Sequence, residues 1–331
     1  MDVTTRPRRQ GDPLPAESAT GQRGGKARRI RLLAIYLFVC AVWGTTWYGM
    51  KVSVESIPPI TAAGLRFVIA CPFLAIAVAL SPSASFRFPR GKRWLFPFVS
   101  VVYIAVPYAL INYGEQHISS GFASLLFASV TVFLLVFSRI ISGTRVAGRQ
   151  WLGILLGLAC LVVLILDTGG DLSTENLLAP GAVLIAAVLH AFTYAMLARH
   201  AGDINVLTVE VLPIGMGGVL LLGLGAAVEH PDFGAVTAQS WMGVVYLAVV
   251  ASVVGFAAYF YLLKHMNPVS LSFVFVFFPV IAVFVSSLLE HSELGPVALV
   301  SAAAMLGSFA LTKKRDTAEA TDAAPKQEVA L

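Results

Sequence analysis

Apolar residues along this chain come in blocks of about 20, each long enough to cross a hydrocarbon core of roughly 30 Å. The blocks fall at about 32–50, 59–80, 94–113, 119–141, 149–167, 178–198, 205–228, 241–262, 268–289 and 295–312. Within a bilayer the backbone has no water to bond, so each block is expected to be a helix whose N–H and C=O groups pair internally. A β-barrel would instead need alternating segments of about 10 residues, and the pattern here does not alternate. Short polar connections make neighbouring helices antiparallel. The pattern thus predicts an all-α integral membrane protein with ten transmembrane helices.

Charge sharpens the layout. Only 12% of the 331 residues are charged and 57% are hydrophobic, against roughly a quarter charged in a soluble domain. With the N-terminus placed in the cytoplasm, the cytoplasmic segments collect Arg28, Arg29 and Arg31, then Arg87, Arg90, Lys92 and Arg93, then Arg139, Arg145 and Arg149, then Arg199, Lys264, Lys313 and Lys314. Every Lys or Arg falls on that side except Lys51 and Arg66. The opposite side holds Glu55, Glu115, Asp167, Asp171, Glu175, Glu229, Asp232, Glu290 and Glu293. This split predicts a multi-pass protein of the cell (inner) membrane with both termini cytoplasmic. It also accounts for the net charge of +5 without nucleic acid, which would need a clustered basic face on a folded domain. Residues 1–30 and 313–331 read as disordered cytoplasmic tails. Arg28 and Arg29 precede an apolar run in the manner of a signal peptide, but the run passes Cys40 with no clear cleavage site and is read as the first span. Cys40, Cys71 and Cys160 lie inside apolar blocks with neither metal nor disulfide spacing, as small buried hydrophobes.

The chain also resembles itself. Tyr113-Gly-Glu-Gln-His117 returns about 148 residues later as Tyr261-Leu-Leu-Lys-His265, and Ser124 and Trp94 return as Ser272 and Trp241. Trp43-Gly-Thr-Thr-Trp-Tyr48 weakly matches His190-Ala-Phe-Thr-Tyr-Ala195. The repeats cover 31–168 and 177–312. Five helices per repeat is an odd number, so the second copy lies upside down in the membrane. Two inverted five-helix repeats are the architecture of alternating-access carriers, with the substrate site near midplane between the halves.

Trp43-Gly-Thr-Thr-Trp47, Ile57-Pro-Pro59, Leu65-Arg-Phe67, Gly114 through Gly121, Ala123-Ser-Leu-Leu126 and Asn267-Pro268 through Pro279 resemble, in this order and spacing, the drug/metabolite transporter superfamily and its EamA-type family. Thr131 stands where that family's fourth helix usually has a proline. The Gly-Glu that tends to follow its fourth and ninth helices is replaced by Ile141-Ser-Gly-Thr-Arg145 and by an off-register Glu290-His-Ser-Glu293. The resemblance implies a ten-helix exporter or importer of small metabolites, among them amino acids, nucleotide-related compounds and drugs.

Candidate site residues are polar or aromatic groups deep in the spans. Arg66 lies roughly 10 Å below the surface of its helix end, where a lone charge costs several kcal/mol. It is either a ligand for a substrate carboxylate or a structural ion pair. Glu210 lies as deep from the other side and is the coupling candidate. Trp43, Thr46, Trp47 and Tyr48 form a polar-aromatic cluster, with His190 and Tyr194 as its counterparts. Glu115 and Gln116 are placed at the outer mouth, and Asn112 and Tyr259 complete the binding candidates. Pro107, Pro213 and Pro279 are hinge candidates, because an intrahelical proline frees a carbonyl and kinks the helix; Pro72 reads as simple shaping. Gly153 and Gly157 permit close helix approach, within the chain or across a homodimer.

No Walker loop, HExxH or GxSxG is present, and no cofactor or metal is expected. Asp167-Thr-Gly169 resembles half of an aspartic site and reads as a helix-end turn. The reading favoured is a secondary active transporter, an exporter or exchanger of a small amphipathic solute. A channel, a structural membrane protein and, remotely, an intramembrane enzyme are the alternatives.

Overall fold

A computed structural model describes residues 18–143, 148–169, 174–266, 274–291 and 295–313. Every regular element among them is helical. α1 spans Ser18–Ser53 and α2 Pro59–Leu80. A 3₁₀ turn at Arg90–Lys92 leads into a rod made of α3 (Leu95–Phe98), a π-helical segment (Val99–Ala105) and α4 (Val106–His117). α5 (Ser120–Ala128) and α6 (Val130–Ser142) follow, then α7 (Gly148–Gly169), α8 (Thr174–His200) and α9 (Val206–Val228). A second composite rod joins α10 (Ala238–Val245), a π-helical segment (Tyr246–Val254) and α11 (Gly255–His265). α12 (Val274–Leu289) and α13 (Pro296–Lys313) complete the chain. Among the described residues seven helices are long and apolar enough to cross a membrane, and Phe277–Leu289 is a shorter apolar helix. Large apolar side chains face outward all around the bundle, among them Leu37, Ile76, Val219, Met242 and Phe284. That is the surface of a protein whose solvent is lipid.

One expectation is corrected: α1 begins at Ser18, well inside the segment 1–30 read as a disordered tail. Residues 1–17 and 314–331, and with them most of both tails, lie outside the described residues, as do Arg145, Asn267, Pro268, Ser272 and Glu293.

Packing is reciprocal between the two halves. α2 lies along α9, and α7 along α13. α1 packs on α12 and on the α10–α11 rod, while α8 packs on α5 and α6 and on α4. α2 also touches the second π segment, and α9 the first. The repeat seen in sequence is repeated in detail. His117 Nδ1 is 2.8 Å from Tyr113 O and His265 Nδ1 is 2.7 Å from Tyr261 O. The two π segments fall at the repeat spacing, just before Pro107 in the first rod and just before Gly255 in the second. Gly255 occupies the hinge position without a proline. Similarly, the break between α5 and α6 needs no proline at Thr131. It falls at Ser129, whose Oγ donates to Leu126 O at 2.6 Å and competes with the helical ladder.

Helix ends are fastened across the halves. α2 starts at Pro59, where a missing N–H costs nothing. The Glu229 carboxylate at the end of α9 accepts from Ile60 N and Thr61 N, both at 2.8 Å, and from Thr61 Oγ1 at 2.7 Å. Glu290 at the end of α12 accepts from Ser120 N at 3.2 Å and from Ser120 Oγ. These carboxylates satisfy orphan donors at helix N-termini and meet the positive end of the macrodipole. At the opposite, basic end of the bundle Lys92 donates to Asp203 and holds its carboxyl below the usual range. Gly153 and Gly157 are both buried, on a helix that packs along α13.

The α2–α9 crossing depends on glycine. A Cβ on Gly64 would lie 2.7 Å from Leu222 N, and one on Gly218 would lie 2.9 Å from Phe67 Cβ. Gly64→Val is therefore expected to destabilise the protein by about 1–3 kcal/mol, seen as a lower melting temperature in detergent. Gly223→Val, at a site with nothing within 4 Å, should melt like the wild type.

Candidate functional site

The two composite rods and α1, α2 and α8 enclose a cavity of about 120 Å³. Its walls are mostly aromatic. Trp43 and Trp47 come from α1, Tyr103 from the first π segment, Tyr108 from α4, Phe127 from α5, Phe256 from α11 and Phe278 from α12. Trp47 stacks on Phe278 with ring centroids 6.2 Å apart and meets Phe127 at 5.3 Å. Trp43 lies against Tyr259 at 4.9 Å and Phe256 at 6.0 Å. Thr46 lines the cavity too, but its hydroxyl donates to Val42 O at 2.7 Å and so turns back into its own helix.

Among the described residues Arg66 is the only Lys or Arg in the lining. It is 5% exposed, and its environment explains how a cation is held there. Its Nε donates to Ser252 Oγ at 3.2 Å. Ser252 sits in the second π segment and donates in turn to Leu247 O at 2.9 Å, five residues back. The guanidinium carbon lies 5.3 Å from the Phe67 ring centroid and 5.2 Å from that of Tyr108, within cation–π range. Arg66 Nη1 is buried without a hydrogen-bond partner, and no carboxylate of the described residues forms an ion pair with it. Arg66 lines the cavity, and a planar guanidinium with an N–H the protein leaves unused is the group there suited to an anionic or carbonyl oxygen of a ligand.

His190 is 2% exposed and lines the cavity from α8. Its Nδ1 is 3.0 Å from Ala186 O. A carbonyl only accepts, so Nδ1 carries the hydrogen. The ring is packed among Tyr103 at 4.7 Å, Phe127 at 5.0 Å and Tyr108 at 5.7 Å. Tyr194 completes this wall, its hydroxyl 3.3 Å from that of Tyr103.

The structure therefore brings Trp43, Thr46, Trp47, Arg66, His190 and Tyr194 together around one space. The other binding candidates lie outside the lining. Tyr259 supports Trp43 from behind. Asn112, Glu115 and Gln116 follow Ile111, a lining residue, toward the acidic end of the bundle. Gln116 is exposed and donates to Val54 O at 3.4 Å. Glu115 is in the last turn of α4, just before α5, and is fully buried. Glu210 is also outside the lining, among Tyr103, Tyr108, Tyr194 and Tyr259, with one carboxyl oxygen unpartnered. Pro107 opens α4 directly after the π segment, while Pro213 and Pro279 lie inside α9 and α12. Sequence reasoning missed Tyr103, Tyr108, Phe127, Phe256, Phe278 and Ser252. Tyr103 and Tyr108 flank Pro107, and that proximity to a proline was the available signal.

Comparison with known proteins agrees with this architecture. The model of the EamA-like transporter family matches residues 31–166 and again residues 177–313. The protein PagO of Salmonella typhimurium is 32% identical over 77% of this chain and 84% of its own length. The inner membrane transporter YedA of Escherichia coli is 28% identical over 86% of this chain and 92% of its own. A probable terminal-alkyne amino-acid exporter of Streptantibioticus cattleyicolor is 24% identical over 85% and 94%. A solved crystal structure superposes with a TM-score of 0.62 at 18% identity, over 88% of this chain and 99% of that one; at that identity the likeness shows the fold.

The buried pair makes a stability prediction. Ser252→Ala removes the hydrogen bond that Arg66 Nε donates to Ser252 Oγ and is expected to cost about 1–3 kcal/mol, read as a lower melting temperature. Adding Arg66→Met removes the stranded cation, and the double variant should recover most of that loss.

Proposed function

This chain belongs to the EamA-like transporter family, and on that premise we propose that it is a secondary active transporter of small amphipathic metabolites, working by alternating access through the aromatic cavity. It is a multi-pass protein of the inner membrane, and its relatives are transporters rather than enzymes. In the proposed arrangement ten helices form two inverted five-helix repeats, with both termini in the cytoplasm. The duplicated family match, the reciprocal packing and the distribution of charge support it.

The observation that carries the substrate class is the cavity itself. Its walls are tryptophan, tyrosine and phenylalanine, and Arg66 Nη1 is an unused donor beside them. A solute with an apolar body and one carboxylate matches both features. Its apolar part replaces water against the rings, and its carboxylate gives the guanidinium the partner the protein withholds. A polyanion would find a single cation. One relative is named a probable terminal-alkyne amino-acid exporter, and amino acids carry a carboxylate. Alternating access would place the hinges where the helical ladder is already altered: the π segments before Pro107 and Gly255, and the prolines of α9 and α12. Export or exchange is the direction proposed.

Counterflow in proteoliposomes against a panel of amino acids and other small carboxylates tests this reading. Wild-type protein should accumulate at least one amphipathic monocarboxylate with saturation. Arg66→Ala should cut that uptake by at least about tenfold, equivalent to roughly 1.4 kcal/mol, and Trp47→Ala should raise KM. A linear, unsaturable flux would indicate a channel. Reporter fusions at the two ends of the chain should both report the cytoplasm; opposite faces would remove the inverted five-plus-five design.

A further inference from the structure

Glu115 lies outside the cavity and is fully buried, with neither carboxyl oxygen hydrogen-bonded. It follows Ile111 by one helical turn, on the acidic side of the cavity. Asn112, three residues before Glu115, is 2% exposed. Its Nδ2 donates to Pro59 O at 3.1 Å, and its Oδ1 has no donor. Residues three apart share a helix face, so an orphaned amide oxygen and an orphaned carboxyl are neighbours on α4.

Among the described residues the surroundings offer Glu115 no other partner. Its charged neighbours are Glu290 at the end of α12 and Lys51 at the end of α1. Glu290 is occupied by Ser120 N and Oγ. Lys51 Nζ donates to Ile118 O at 3.0 Å. α8 presents Ala179 and Val183 against the adjacent Gly114, and α2 presents the Pro59 carbonyl to Asn112. An ionised Glu115 would be a buried anion without a donor and with a second carboxylate beside it, an arrangement that is strongly disfavoured. The neutral acid needs only one acceptor for its O–H, and Asn112 Oδ1 is an acceptor lacking a donor. A single proton pairs one Glu115 oxygen with Asn112 Oδ1 and removes the charge, so the other carboxyl oxygen is left as a neutral carbonyl acceptor.

We propose that Glu115 is a proton-binding site, holding a carboxylic-acid proton against Asn112 at the acidic end of the cavity and releasing it to water when the ends of α1, α4 and α12 separate. Release breaks the Glu115 O–H bond, leaves the carboxylate facing water and Lys51, and is reversed when the helix ends close again. Its place in a transport cycle rests on the transporter reading; the proton site itself is testable without a substrate.

Infrared difference spectroscopy of the full chain in detergent, in light and heavy water at neutral pH, reads protonated carboxyl groups directly. Wild-type protein should show a carboxylic-acid C=O band that shifts in heavy water. Glu115→Gln should lose it, and Glu210→Gln should retain it. Glu115→Gln, which keeps the shape and donor of the neutral acid, should fold and melt close to wild type, whereas Glu115→Ala should melt lower. No such band, a band that survives Glu115→Gln, or a Glu115→Gln protein unable to fold would each overturn the proposal. So would stabilisation of the wild type by sodium over choline chloride that vanishes in Glu115→Gln, because the occupant would then be a metal cation. Absence of counterflow in the wild type would count against transport and leave the infrared result as it stands.

Discussion

In hydrocarbon a polar group must find its partner inside the protein, and this one constraint shapes the molecule from helix ends to cavity. The backbone answers it by being helical. Helix termini cannot answer it alone, because the first N–H groups have no partner within the helix. Here two glutamates, Glu229 and Glu290, reach from the ends of α9 and α12 to the starts of α2 and α5. Each belongs to the second half and caps a helix of the first. The capping that makes the helices possible also joins the halves at their acidic end.

Where the constraint is left partly unmet, the site appears. Arg66, a lining residue, keeps one donor unused, and its Nε donates to Ser252 in a π segment. The π segments exist because the helical ladder is widened there by an extra residue, a feature common at functional sites. In the first rod the widening adjoins a proline; in the second it adjoins a glycine. The backbone irregularity is thus shared by the two halves although the residue accompanying it is not. The same substitution of one device for another occurs at Ser129, where a hydroxyl bonded back to the ladder ends α5 in place of a proline.

Gly64 and Gly218 let α2 and α9 approach at the junction of the halves, and that approach places Arg66 opposite the second rod. The aromatic residues then close the space around it. Trp47, Phe127 and Phe278 come from three different helices, and none of them defines a wall by itself. A cavity of this type is a property of crossing helices rather than of any one of them.

The amino-acid sequence determined the helical, membrane-crossing character of the chain and its duplication, because apolar length and the spacing from Tyr113 to Tyr261 are local or periodic properties. It also singled out Arg66, Trp43, Trp47, His190 and Tyr194, which line one cavity, since deep polar and aromatic side chains stand out against an apolar background. Only the tertiary structure decided that Tyr103, Tyr108 and Phe278 face the same space, because a lipid-facing aromatic and a cavity-facing one are identical in sequence. Only it buried Glu115 completely and left its carboxyl oxygens without a donor. Burial of a single carboxyl depends on how α1, α4, α8 and α12 meet, and no spacing along the chain encodes that meeting.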